Sequence, residues 1–338
     1  MRVFLIPAVL FLGVVFTVVA SPSSCEPFPS ARPETGAHGY RTWYSTVLMS
    51  SITAGERVCV PSGWMAVGAQ AEGADWAEFL PGQTAVMIRT DAFASTTLTF
   101  SDSAYTVSLL IPTEIENPGA YEAMVRHAFE RIGAFYDHEE AIAHTVVVTA
   151  ALGFIHTEEG SIYPDPNERV SYLILPPENP RGEELFIHAV GHLYNRFSYP
   201  LPEQPPLSST DIQELEASWL ELALLPSNER RHARFSTLYE LHHAYPEPMP
   251  PYREVEYDHY ILGPLVMVAI EGLLEIYGAD VTVADLFATL HNQPEQMFFT
   301  LLETHLPADA VETVNRWLFE NEKIPHALLR TGLSQYER

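Results

Sequence analysis

Cysteine is nearly absent from this sequence: two in 338 residues, Cys25 and Cys59. That count excludes a zinc site built on cysteines and a fold stapled by several disulfides. In an oxidising compartment the pair can close one bridge from the N-terminal arm to the first domain; otherwise both are free thiols. Basic residues are scarce too. Eighteen Lys and Arg stand against 44 Asp and Glu, a formal net charge of −26. Nucleic-acid affinity comes mostly from basic side chains neutralising phosphates, so nucleic acid is excluded as a partner. Beyond the N-terminus, long apolar runs are missing: residues 261–276 come nearest and are interrupted by Glu271 and Glu275. No internal repeat is visible.

What is present describes a globular protein. Hydrophobic residues make up 47% and charged residues 18%, enough to bury a sizeable core. The first twenty residues have the form of an export signal. Arg2 precedes an apolar run from Val3 to Val19, and Val18-Val19-Ala20 offers small residues before a cut at Ser21. The chain is therefore expected to be exported: secreted, periplasmic or at the cell surface. An uncleaved N-terminal membrane anchor is the alternative, because about 17 apolar residues just suffice to span a bilayer.

The pattern then changes twice. From residue 40 to 112, short β-branched runs (Val58–Val60, Thr84–Arg89, Thr96–Phe100, Tyr105–Ile111) alternate with Pro, Gly and Asp-Ser turn signals, predicting a small antiparallel β domain. After Asn117-Pro118-Gly119, helical spacing over Tyr121–Tyr136 is followed by buried-strand runs at His144–Leu152 and Val170–Leu175. Pro180 opens a helix expected to run to about Asn195, and Ser208-Ser209-Thr210 caps another over Asp211–Leu225. The remainder predicts helices at Arg234–His243, Tyr260–Tyr277, Val283–Leu290, Gln296–His305 and Ala308–Glu322, with His242-His243 as a solvated helix end. The expected fold class is α+β, divided into a leader (1–20), a β-rich domain (21–115), an α/β domain (116–245) and a helical C-terminal region (246–338).

The segment Phe186-Ile187-His188-Ala189-Val190-Gly191-His192-Leu193-Tyr194-Asn195 carries the most information. Histidines four apart on a helix project from one face, so both imidazoles can reach one ion. On the next helix stands Trp219-Leu220-Glu221, and further on Tyr260-Ile261-Leu262-Gly263. Together these segments resemble the gluzincin metallopeptidases, in particular the glycyl-aminopeptidase group and, more distantly, the M1-type aminopeptidases. The resemblance implies a thermolysin-like zinc-peptidase domain, a Zn²⁺ ion held by His188, His192 and a glutamate of the second helix, and a tyrosine at Tyr260 that stabilises the tetrahedral intermediate.

The sequence departs from that family where the chemistry is done. The general-base glutamate that follows the first histidine is here Ala189. The family's liganding glutamate falls at Leu222; Glu221, one residue short, is the expected substitute, with Glu214, Glu216 and Glu184 as further carboxylates nearby. General-base catalysis is typically worth ~10²–10⁴-fold in rate, so ordinary peptidase turnover is not expected. Three readings follow. The chain is a metallopeptidase-like protein that has lost peptidase activity and keeps a peptide- or protein-binding role. It is alternatively an active zinc hydrolase with a non-standard base such as Glu184 or Glu221, or a secreted structural or interaction protein without metal. In all three, membrane contact is confined to an uncleaved N-terminal segment.

Overall fold

The computed structural model describes residues 26–27, 47–51, 57–134, 142–148, 170–173, 178–198, 202–244 and 258–337, apart from 70, 74, 80–83, 101–104, 204, 294 and 321. The expected export signal at 1–20 and Cys25 lie outside these residues. Cys59 is disulfide-bonded, as the single-bridge expectation requires.

The centre of the fold is a four-stranded sheet of β8 (Phe93–Thr99), β9 (Tyr105–Pro112), β10 (Ile142–Val148) and β11 (Val170–Leu173), in the order β11-β10-β9-β8. β9, β10 and β11 run parallel and β8 antiparallel. Side chains alternate across a strand, and this sheet uses both faces. Leu109, Ile111, Val146 and Val148 face a helical layer with Met124, Phe129 and Ile132 of α1 (Pro118–Gly133) and Phe186 and Val190 of α2 (Pro180–His192). Leu110, Val147 and Val170 face Val67, Val86 and Ile88 instead. Those last residues belong to an antiparallel sheet of β2 (Val47–Ser51), β7 (Thr84–Arg89) and β4 (Trp64–Val67). A second small sheet joins β1 (Glu26–Pro27), β3 (Arg57–Cys59), β6 (Trp76–Glu78) and β5 (Ala71–Glu72). Between β3 and β4 a turn over residues 61–64 is closed by Trp64 N–H on the Pro61 carbonyl at 3.0 Å, with Gly63 at φ +80°.

The mixed helix-and-sheet class is as expected, but the central sheet crosses the boundary expected at 115. The pattern of the Thr96–Phe100 and Tyr105–Ile111 runs predicts strands of an antiparallel β domain. They instead supply β8 and β9, and β9 pairs in parallel with β10.

The helices that follow are α3 (Ser209–Ala223), α4 (Asn228–Ala244), α5 (Gly263–Tyr277), α6 (Val283–Asn292), α7 (Phe298–His305), α8 (Ala308–Phe319) and α9 (His326–Leu333). α3 starts at a reciprocal capping box between Ser208 and Asp211. By length and composition the Tyr260–Tyr277 helix is apolar enough to cross a membrane, yet 72% of it is buried inside the fold, as befits a core helix. It is clamped by α9 through glycines: a Cβ on Gly332 would sit 1.8 Å from the Val268 carbonyl oxygen. His242 corrects an expectation. It is not solvated but 1% exposed, and burial, Lys323 and His243 push its imidazole down to about 4.

Candidate metal centre

α2 begins on proline-based chemistry: Pro180 occupies the first turn, and the Asn179 side chain caps Arg181 N–H at 3.0 Å. Its final turns pack antiparallel on α3. Gly191 sets how closely, because a Cβ there would meet Leu220 Cδ1 at 3.1 Å and the Ala217 Cα at 3.4 Å. From Ile212 to Leu222 every residue of α3 is buried. The three carboxylates of this buried stretch, Glu214, Glu216 and Glu221, must therefore find partners within the protein, since a buried charge without them is very costly. Each of them does.

His188 and His192 present their Nε2 atoms to one point, 2.9 Å apart. Oε2 of Glu214 lies 3.2 Å from Nε2 of His192 and 3.4 Å from Nε2 of His188. Among the described residues these three form the one group with metal-ligand spacing. Three donors around a tetrahedral zinc at ordinary bond lengths would stand about 3.3 Å apart, so the triangle is close to one face of such a site. The carboxylate brought to this point is that of Glu214 and not, as expected, that of Glu221. Seven residues separate the two, nearly two whole turns, so both lie on the face of α3 that meets α2. Glu214 reaches the Nε2 side of the histidines; Glu221 sits one step further along, behind His188. Leu222, the position implied by the family register, is buried in the apolar core.

Glu221 serves His188 from the other ring nitrogen. Its Oε1 is 2.9 Å from Nδ1, off the N–H axis and so an ion pair rather than a linear hydrogen bond. Arg181 Nη1 and Arg234 Nη2 both donate to Glu221 Oε2 at 3.2 Å. Burial would raise the Glu221 carboxyl, but His188, Arg181 and Arg234 hold it below the usual carboxylate range. Burial likewise opposes Glu214, and His188, whose Nε2 faces its carboxylate, holds it well below that range. His188 shows the reciprocal effect: burial lowers its imidazole, yet Glu214 and Glu221 outweigh it and raise it to about 9.

On His192, Nδ1 lies 3.3 Å from Oδ1 of Asn195. The amide orientation follows from its other end, where Nδ2 donates to the Gln213 carbonyl at 2.9 Å and to Glu216 Oε2 at 3.1 Å. The His192 proton thus sits on Nδ1, and Nε2 offers its lone pair to the centre. Without metal, one proton on Nε2 of His188 occupies the space between His192 and Glu214. The donor set fits a divalent metal, which would take that proton's place.

Other expected residues fall in different surroundings. Glu184 is bonded to Arg181 at 2.8 Å and lies 3.5 Å from Arg234, away from the three donors. Tyr260 is brought to the site, its ring 5.3 Å from that of His188. It lies on a π-helical turn (Asp258–Leu262), and a second such segment (Leu193–Ser198) follows His192 directly. Trp219 is core: 2% exposed, its indole N–H donating to Tyr336. Arg181, Arg234, Asn195 and His291 were not anticipated. The usable signal is three carboxylates within the stretch Ile212–Leu222, which, once buried, demands cations or amides around them.

No family model matches the sequence, and no curated protein matches it. Solved structures do. A glutamate-to-alanine mutant of an M1 zinc metallopeptidase from Deinococcus radiodurans superposes with a TM-score of 0.51 at 16% identity, over 80% of this chain and 64% of that one. An aminopeptidase N family protein from Idiomarina loihiensis gives 0.58 at 11% identity, over 84% and 61%. The chain has a metallopeptidase-like fold. It spans under two-thirds of the length of both proteins. A two-domain M1 zinc metallopeptidase, also a glutamate-to-alanine mutant and bound to L-tryptophan, gives 0.50 at 14% identity, over 80% and 64%.

Proposed function

We propose that this is an exported, zinc-binding member of the gluzincin group that has lost ordinary peptidase turnover and retains a peptide- or amino-acid-binding role. The observation that carries the proposal is the convergence of His188 Nε2, His192 Nε2 and Glu214 Oε2 around a helix turn whose next residue is Ala189. Bound there, zinc would supply Lewis acidity and lower the pKa of a bound water to about 7. The chain's own residues do the rest: Glu221 and Asn195 set the two rings, and Tyr260 stands beside His188 to face a ligand. No side chain at position 189 can take a proton from water and return it to a leaving amine. Export rests on the composition of residues 1–20, and the glycyl-aminopeptidase character on the His192–Asn195 run with Trp219.

The reading with a non-standard base is weaker here. Glu184 and Glu221 are both bonded to arginines, which makes a carboxylate a poor proton acceptor. A glutamate-to-alanine metallopeptidase that is bound to L-tryptophan supports ligand binding in the absence of a glutamate. The test is Ala189→Glu in the zinc-loaded protein, assayed on aminoacyl and peptide substrates. Restoring the base should raise kcat by ~10²-fold or more over the parent. Wild-type turnover at ordinary peptidase rates, abolished by chelation, would overturn the loss of activity.

A further inference from the structure

The two histidines are held from behind by different devices. His188 is backed by Glu221 with two arginines, all close to the centre. His192 is backed by a longer chain that reaches the C-terminal helices. Asn195 Oδ1 faces His192 Nδ1, Asn195 Nδ2 donates to Glu216, and both oxygens of Glu216 lie 2.9 and 3.0 Å from His291 Nε2. His291 belongs to α6 and stands 75 residues beyond Glu216. The side chains of His291 and Glu216 are 0% and 1% exposed.

We infer that His291 is a positioning residue of the metal centre, acting through Glu216 and Asn195 to fix the ring of His192. The inference rests on reading His188, His192 and Glu214 as metal ligands. The logic is one of hydrogen-bond direction. Asn195 has one donor end and one acceptor end, and which end faces His192 decides where the His192 proton sits. Its donor end is kept toward Glu216 and the Gln213 carbonyl because both can only accept. Glu216 in turn keeps its place because His291 N–H donates to both of its oxygens. Remove that donor, and the buried carboxylate loses the hydrogen bond shared by its two oxygens and is free to shift. The Asn195 amide then keeps only the Gln213 carbonyl to orient it. A reversed amide would set N–H against N–H at His192 and drive the ring proton to Nε2, where it blocks the metal. A residue of α6 thus belongs to a site whose ligands lie on α2 and α3.

The experiment compares zinc affinity, by competition with a chromophoric chelator, in the full-length protein, His291→Leu and His291→Gln. Loss of an outer partner of a liganding histidine typically weakens metal binding ~10–100-fold, and that is the loss expected for His291→Leu. The Gln side chain still carries an N–H donor and should bring affinity back to within a few-fold of wild type. Long-range ¹H–¹⁵N NMR of the metal-free protein should place the His192 proton on Nδ1 in wild type and His291→Gln, and shift it toward Nε2 in His291→Leu. Wild-type affinity in a folded His291→Leu overturns the inference, and so do equal losses in the Leu and Gln variants, which would mark simple packing. Should His291→Leu not fold, the near-isosteric Glu216→Gln serves: unchanged zinc affinity there overturns the inference as well. Absence of zinc binding in wild type removes the metal reading itself and this inference with it. Zinc bound by wild type and unaffected by the variants removes the inference alone.

Discussion

Metal binding at this centre should be steeply pH-dependent in a range where an ordinary histidine site is flat. The proton that a metal must displace sits on His188, whose imidazole Glu214 and Glu221 raise to about 9 against the pull of burial. At pH 7 only about 1% of the metal-free protein has that imidazole neutral, so apparent affinity should lie about 100-fold, near 2.7 kcal/mol, below its high-pH limit. Each pH unit gained between 7 and 9 should tighten zinc about tenfold. A histidine near its ordinary value of about 6.5 would give no such slope. The assay is chelator competition from pH 6.5 to 9.5, with calorimetry in buffers of different ionisation enthalpy to count protons released. About one proton per zinc is expected at pH 7.5. Affinity that is flat over this range, with no proton release, would refute the coupling of His188 to its two carboxylates. Stability of the metal-free chain has its own sign. The folded value lies above the unfolded one, so the His188 contribution is present in full below about 6.5 and is lost as pH rises toward 9.

Other outcomes follow from neighbouring contacts. Glu221→Ala leaves Arg181 and Arg234 with Glu184 as the one carboxylate they still share; removing one partner of a buried ion pair typically costs about 3–5 kcal/mol, readable in urea melts, with zinc affinity falling ~10–100-fold. Glu271 is buried beside Glu275 and Asp285 and is pushed up to about 7 by burial first, with Val283 N–H opposing. Its folded value exceeds the unfolded one, so stability falls as pH rises from about 4.5 to 7. Glu271→Gln should therefore raise Tm above pH 7 and change nothing near pH 4; equal shifts at both pH values would contradict this. Gly191→Val forces α2 from α3 at the Leu220 and Ala217 contacts; overpacking of this kind costs about 1–3 kcal/mol, and zinc binding should weaken in parallel.

Much of this architecture is written in local pattern. The β-branched runs, Pro180, Ser208 and the helical spacing of residues 121–132 each mark the element that forms there. What local pattern does not carry is partnership across the fold. Phe93–Thr99 and Tyr105–Pro112 look like strands of a β domain, and only the parallel pairing of β9 with β10 assigns them to the central sheet. α9 was missed because eight residues give a weak periodic signal, whereas its reality lies in Gly332 meeting Val268. At the site the same division holds. His188 and His192 were legible from spacing within one helix. The choice between Glu214 and Glu221 was not, since both share a face of α3 and only the antiparallel register with α2, set by Gly191 and Ala217, separates them. His291 and Arg234 come from distant elements and leave no local trace, beyond the rule that three buried carboxylates need donors.

The central claim is that His188, His192 and Glu214 hold one metal ion, with Glu221 behind them. Zinc content per chain after loading and gel filtration, measured by elemental mass spectrometry on wild type, Glu214→Ala and Glu221→Gln, tests it most directly. The account predicts one zinc per chain in wild type, none in Glu214→Ala, and zinc retained with lower affinity in Glu221→Gln. Zinc retained in Glu214→Ala and lost in Glu221→Gln, or no zinc in wild type, would contradict it.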